Sequence, residues 1–178
     1  MQGHDAQIHH EAGIAPAALC EHLRQPGARL AEFPGATPIT TDEFWSLPCE
    51  FLVPAALEGQ ITAANAPRIA ARVVVEGANG PTTPEADDLL AARGVTVVPD
   101  VIANAGGVIV SYFEWVQDIA SFFWTASEVN ERLDRIIRDA FVAVCDLARE
   151  RAVTLRTAAY IIGCTRVLEA MELRGLYP

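Results

Sequence analysis

VVVEGANGPTTPEADDLLAARGVTVVPDVIANAGGVIVSYFEW, residues 73–115, is the stretch whose reading decides the fold. Val73, Val74 and Val75 form a β-branched run, too short for a helix and right for a buried strand. Residues 76–81 (EGANGP) are loop chemistry, with two glycines and a proline close together. Thr82 or Thr83 then caps a helix; Pro84 falls in its first turn and Glu85 stands three residues after Thr82, as in a capping box. Leu89 and Leu90 supply the apolar face, and Gly94 ends the helix where a left-handed cap is needed. Residues 95–98 (VTVV) are a second strand, stopped by Pro99. Strand, capped helix and strand make a βαβ unit with parallel strands. Ligands of open parallel sheets gather at the carboxyl ends of the strands. Those ends are residues 76–80 and 99–107, where small and polar residues concentrate.

Working outward, the 178-residue chain has one domain on the usual size prior and enough length to enclose a core. Apolar residues make up 51% and charged residues 20%, a globular and rather hydrophobic mixture. Thirteen basic residues against 23 acidic ones leave a net charge of −10, which argues against nucleic acid or an anionic membrane surface as partner. Cys20, Cys49, Cys145 and Cys164 are widely spaced with no CxxC pair, and read as reduced, mostly buried thiols of a cytoplasmic protein. No signal peptide follows Met1, and no apolar run approaches membrane-spanning length. A soluble, intracellular protein is the expectation.

Residues 1–16 are polar without apolar period, and a solvated loop is expected there. His4, His9, His10 and His22 match no common metal-ligand spacing, so no metal is assigned. Residues 16–23 predict a short helix with Leu19 and Leu23 on one face. Residues 24–41 are loop-rich, with one short edge strand near Ile39, and Thr40 with Glu43 caps a short helix through Phe44 and Trp45. Residues 49–53 form the first strong strand. Ala55 and Ala56 at its carboxyl end either let a ligand approach the backbone or suit close packing. Residues 62–71 predict a short helical segment.

From Val108 the chain turns helical. Tyr112, Phe113, Trp115, Phe122, Phe123 and Trp124 read as core or interface packing. Thr125 with Glu128 opens a long amphipathic helix to about Arg151. Thr154 opens another, running to about Leu173, with Gly175 as its stop.

Several residues have two readings on residue type alone. Asn79, between Gly77 and Gly80, is a turn residue or a ligand contact. Asn104 is a helix cap or a ligand contact. Gly106 and Gly107 clear side chains where a flat ring would approach. Ser111, two helical turns beyond Asn104, is a packed hydroxyl or a substrate contact. Glu76, Asp100 and Glu114 lie near the strand ends, yet no pair is spaced as a general acid and base, and no nucleophile triad is evident.

EGANGPTTPEAD (residues 76–87) and NAGGVIVSYFEWVQ (residues 104–117) resemble the nucleotide-domain motifs of glutamate dehydrogenases. The similarity continues through PCEFLVPAALEGQIT (residues 48–62) and LRTAAYIIGCTRVLEAMELRG (residues 155–175), and so covers essentially the whole chain. The resemblance implies an α/β fold: an incomplete Rossmann-like, doubly wound parallel sheet followed by long carboxyl-terminal helices. Residues 1–120 would be a partial dinucleotide-binding domain and residues 121–178 a helical connector that braces the active cleft. It implies NAD or NADP as cofactor, with Ala55 and Ala56 lining its pocket. Asn79 would meet the nicotinamide-side ribose and Asn104 the carboxamide, with Gly106 and Gly107 beside the ring. Ser111 would bind the far carboxylate of glutamate, making it the substrate-site residue.

The family's substrate domain, with its catalytic lysine and aspartate, has no counterpart in these 178 residues, and GxGxxG is absent. No catalytic residue is therefore assigned. Alignment to the family puts Met1 soon after the second strand of the nucleotide domain. The expectation is the carboxyl-terminal portion of a glutamate dehydrogenase, whose intact form converts L-glutamate to 2-oxoglutarate and ammonia. Alone it would be inactive; a homo-oligomer, or a companion chain carrying the amino-terminal domain, would be its assembly. The alternatives are a non-catalytic subunit of a full-length dehydrogenase and a ligand-binding module with a partial pocket.

Overall fold

The computed structural model describes Met1 and residues 6–175. Strand β1 (Gln7–His9) pairs antiparallel with β2 (Thr37–Ile39), placing Ile8 opposite Pro38. This corrects the expected solvated loop before residue 16. Ile8 is completely buried and packs with Leu19 and Leu30, so one isoleucine anchors a segment too short to show a period. His4 lies outside the described residues. Helix α1 (Pro16–Leu23) begins on Pro16 as expected, but only Leu19 is buried and Leu23 is exposed. Helix α2 (Thr41–Ser46) carries the expected capping box: the Thr40 amide donates to Glu43 Oε2 at 2.8 Å, and Thr40 Oγ1 accepts from the Glu43 amide. It buries Trp45.

The main sheet has three parallel strands in the order β3 (Phe51–Leu52), β4 (Val73–Val75), β5 (Thr96–Val98). Phe51 faces Val73, and Val73, Val74 and Val75 face Thr96, Val97 and Val98. The expected five-residue strand at 49–53 pairs over two residues only. Helix α3 (Pro84–Ala92) makes the crossover. Its cap is Thr83, whose Oγ1 accepts from the Ala86 amide, and not Thr82, which bridges to Ile61. Gly94 follows at φ +75°, a left-handed conformation that glycine adopts without a Cβ penalty. Val74, Val97, Ala86 and Leu90 form the principal core with Ile61, Ile69 and Trp45.

Residues 62–71 are not helical beyond a single 3₁₀ turn at Ala66–Arg68. The Asn65 side chain explains it. Its Oδ1 accepts from the Thr62 amide and its Nδ2 donates to the Gln60 carbonyl, holding a turn that competes with the helix ladder. The Arg93 guanidinium then takes the Ala66 and Ile69 carbonyls.

The carboxyl-terminal half is α4 (Asp100–Ala103), α5 (Gly106–Ala120), α6 (Ala126–Arg151) and α7 (Leu155–Arg174). Helix α6 has the expected Thr125–Glu128 capping box, Thr154 caps α7, and Gly175 follows its end. The two helices pack against each other near their junction, around Val144, Ala148 and Ala158. Of the aromatic segment, Phe113 is buried edge-on against Trp124, whose ring also lies 4.1 Å from the Arg132 guanidinium carbon. Tyr112, Trp115, Phe122 and Phe123 are exposed. The cysteines are free, but three of them (Cys20, Cys49 and Cys164) are exposed, against the expectation of buried thiols. The helices that carry Cys20 and Cys164 bury only narrow stripes, and these residues fall outside them. No helix among the described residues is long and apolar enough to cross a membrane.

Candidate functional site

Parallel pairing brings the carboxyl ends of β3, β4 and β5 to one edge, and short backbone bonds sew the loops after them together. The Glu76 amide donates to the Val98 carbonyl at 3.1 Å; the Gly77 and Ala78 amides both donate to Pro54 at 3.0 and 2.9 Å. The loops approach closely at Gly77, where a Cβ would lie 3.0 Å from the Ala55 Cβ. Across this edge Asn104 Nδ2 donates to Asn79 Oδ1 at 2.7 Å. The amide pair lines an open cleft of about 850 Å³ together with Ala55, Ala56, Gly77 and Ala78.

Four of the residues expected from the sequence therefore meet: Ala55, Ala56, Asn79 and Asn104. Asn104 does not cap the long helix. It ends α4, and Ala105 precedes α5 with no side-chain cap. Gly106, Gly107 and Ser111 are outside the cleft lining. A Cβ on Gly106 would point at Ile137 of α6, one on Gly107 would meet open space, and Ser111 is exposed on α5. Val101 and Val108 supply the apolar wall on that side.

Beneath the cleft lies a charged cluster that reasoning from spacing does not find. Arg156, in the first turn of α7, donates from Nη2 to Glu76 Oε1 at 2.7 Å and from Nε to Asp87 Oδ2 at 2.8 Å. Its Nη1 reaches Asp100 Oδ1 at 3.5 Å. The Glu76 side chain is 0% exposed and that of Arg156 20%. Burial alone would lower the Arg156 pKa, but hydrogen bonds and charges from Asp87 and Glu76 outweigh it and hold it well above its ordinary value. The remaining carboxylate oxygens are also used. Glu76 Oε2 accepts from the Asp100 amide and Asp100 Oδ2 from the Gly80 amide, both at 2.8 Å. A sequence signal existed: a cation in the first turn of a helix opposes the helix dipole, and such a local violation implies a tertiary partner.

Chemically, the cleft offers amides, small side chains and backbone, which suit recognition of a planar amide ligand better than proton transfer. Glu58 is the one carboxylate among its described lining residues. A larger cavity of about 1000 Å³ lies on the other side of the sheet, between Val73, Val75 and Val98 and the Ile137–Phe141–Cys145 stripe of α6. It is mostly apolar, and its charged lining residues are spent in ion pairs, Asp87 with Arg156 and Arg149 with Asp146. It is a packing gap between sheet and helix, without convergent polar groups.

Known proteins of similar sequence and fold point to one family. The Glutamate/Leucine/Phenylalanine/Valine dehydrogenase family profile matches residues 1–175. A glutamate dehydrogenase of Thermotoga maritima is 48% identical over 171 residues, which is 96% of this chain and 41% of that protein. An NAD-specific glutamate dehydrogenase of Clostridioides difficile is 44% identical over 170 residues, 96% of this chain and 40% of its own length. Among solved structures, the hetero-hexameric glutamate dehydrogenase of Thermus thermophilus in its Leu-bound form superposes with a TM-score of 0.85. It is 36% identical, over 94% of this chain and 39% of that one. The chain thus spans about two fifths of the length of these two curated relatives. A family match over residues 1–175, relatives similar over nearly the whole chain and a shared parallel-sheet fold place the chain in the Glutamate/Leucine/Phenylalanine/Valine dehydrogenase family.

Proposed function

We propose that this chain is the carboxyl-terminal portion of a glutamate dehydrogenase, whose intact form oxidatively deaminates L-glutamate to 2-oxoglutarate and ammonia with NAD or NADP. Residues 1–120 serve as part of the dinucleotide-binding domain and residues 121–178 as the helical brace, in a cytoplasmic enzyme. The observation that carries this reading is the Asn79–Asn104 amide pair across an open cleft at the strand ends. The pair fits a nicotinamide carboxamide. Their mutual bond leaves the Asn104 carbonyl as an acceptor for a carboxamide amino group and the Asn79 amino group as a donor to a ribose hydroxyl. When bound, the nicotinamide ring supplies hydride acceptance. Asn104 would orient the carboxamide, Asn79 the adjacent ribose, and Ala55 and Ala56 would let the ligand lie against backbone. Gly106 and Gly107 would leave the start of α5 bare beside it. Ser111, exposed on α5, is available to a substrate carboxylate presented from outside the described residues.

Catalysis by the isolated chain is not expected, because the family's lysine and aspartate have no counterpart in its sequence and reactant alignment is lost with them. The test is glutamate-dependent reduction of NAD or NADP by the purified chain. The expected rate is zero; turnover abolished by Ser111→Ala would refute the reading. Cofactor affinity is the second expectation. The sequence lacks the GxGxxG loop that holds a pyrophosphate at a helix terminus, and the described cleft lining carries no cation to replace it. Calorimetry should give a dissociation constant of about 1 mM or weaker, roughly −4 kcal/mol. Micromolar binding would show that a phosphate site exists elsewhere on the chain.

A further inference from the structure

Asn79 and Asn104 sit on two different loops, and their cleft exists only while those loops stay in register. Asn79 precedes Gly80, whose amide donates to Asp100 Oδ2 at 2.8 Å. The Asn104 amide in turn donates to the Asp100 carbonyl at 3.0 Å. Asp100 is therefore one step from both amides. It is fixed in turn from below, by its own amide on Glu76 Oε2 and by the Arg156 guanidinium on its Oδ1. Glu76 opens the loop that holds Asn79, and its second oxygen is taken by Arg156 Nη2 at 2.7 Å. One guanidinium from α7 thus holds the root of each loop, and a planar fork with donors in fixed directions is the group suited to doing so.

We infer that Arg156 is a positioning residue: it sets the separation of Asn79 and Asn104, and so makes the shape of the amide cleft depend on the docking of α7. Two carboxylates left to face each other would repel, and the loops would part. Asp87 completes the set at 2.8 Å but belongs to α3, away from both amides. It anchors the arginine without touching the cleft. The functional value of this arrangement rests on the proposed reading of the cleft as a nicotinamide contact, whereas its geometry does not.

The side-chain amide of Asn104 gives a direct readout in a proton–nitrogen correlation spectrum of the full chain, with Asn79→Ala marking the position of the unbonded amide. Arg156→Gln should move the Asn104 side-chain peaks toward that position. Asp100→Ala should do the same, and Asp87→Asn should leave them in place. A merely structural arginine predicts otherwise: a folded Arg156→Gln chain with the peaks unmoved overturns the inference, as does an equal displacement in Asp87→Asn. If Arg156→Gln fails to fold, Asp100→Ala decides alone, since it cuts the same link at a partly exposed side chain, and unmoved peaks there overturn it. Titration with NAD separates the two readings. A wild-type chain whose amide peaks ignore saturating NAD refutes the nicotinamide assignment, while the variants still judge Arg156.

Discussion

At the scale of single residues, Glu76 combines complete burial with a negative charge, and it persists because each oxygen has a donor: Arg156 on one side and the Asp100 amide on the other. Breaking a buried pair costs about 3–5 kcal/mol, since the surviving charge stays desolvated. Glu76→Ala leaves Arg156 facing Asp87 and Asp100, so the lower end applies, and we expect a loss of about 3 kcal/mol in urea denaturation. A change below about 1 kcal/mol would mean that water reaches the pair. Asn79 and Asn104 were legible as amides at strand ends. Their bond to each other was not, because a separation of 25 positions gives no sign of which side chains the crossover brings together.

At the scale of elements, local chemistry was legible wherever a helix begins. Thr40, Thr125 and Thr154 cap where spacing to a partner or the onset of a period marks them. The box at α6 has a pH signature. The Thr125 backbone amide and hydroxyl both donate to Glu128, holding its carboxyl below the ordinary value of 4.5. With the folded value depressed, the stabilisation is complete above the unfolded value and is lost as pH falls through the folded one. Amide protection factors in the first turn of α6, measured against the intrinsic exchange rate at each pH, should therefore fall on acidification below about pH 4.5, and Glu128→Gln should remove that dependence. An identical acid response in the variant would assign the effect to another carboxylate. Short elements were the least legible. β1 and the 3₁₀ turn at Ala66–Arg68 are three residues each, too few for a period, and they are held by Ile8 burial and the Asn65 side chain.

For the whole molecule, the governing feature is that β3 is an edge strand. Its Phe51 is 61% exposed and the nearby Val53 56%, on the side of the sheet where no further strand pairs among the described residues. In the 3-2-1-4-5-6 order of doubly wound sheets, the neighbour of such a strand is the central first one. A second apolar surface runs along α5, where Val108, Tyr112, Trp115 and Ile119 are all exposed at alternating spacings of four and three. At about 25 cal/mol per Å², some 400 Å² of uncovered apolar surface forgoes roughly 10 kcal/mol, comparable to the whole stability of a domain. The net charge of −10 opposes association but does not cover these surfaces. Sedimentation should show association that grows with concentration. A single monomer peak over a wide range, with cooperative thermal unfolding, would contradict it.

The βαβ unit, its parallel strands, the two long capped helices and the family could be read from residues alone, because each rests on contiguous residues whose chemistry is local: β-branched runs, caps, glycine stops and long motifs. Only the tertiary structure decided which of the candidate residues meet. It brought Ala55, Ala56, Asn79 and Asn104 to one cleft, left Gly106, Gly107 and Ser111 outside its lining, and put Arg156 among Glu76, Asp87 and Asp100. Those three contacts join residues up to 80 positions apart. The energy of a buried charge depends on which groups replace its water, and that choice is made by packing, which no local pattern records.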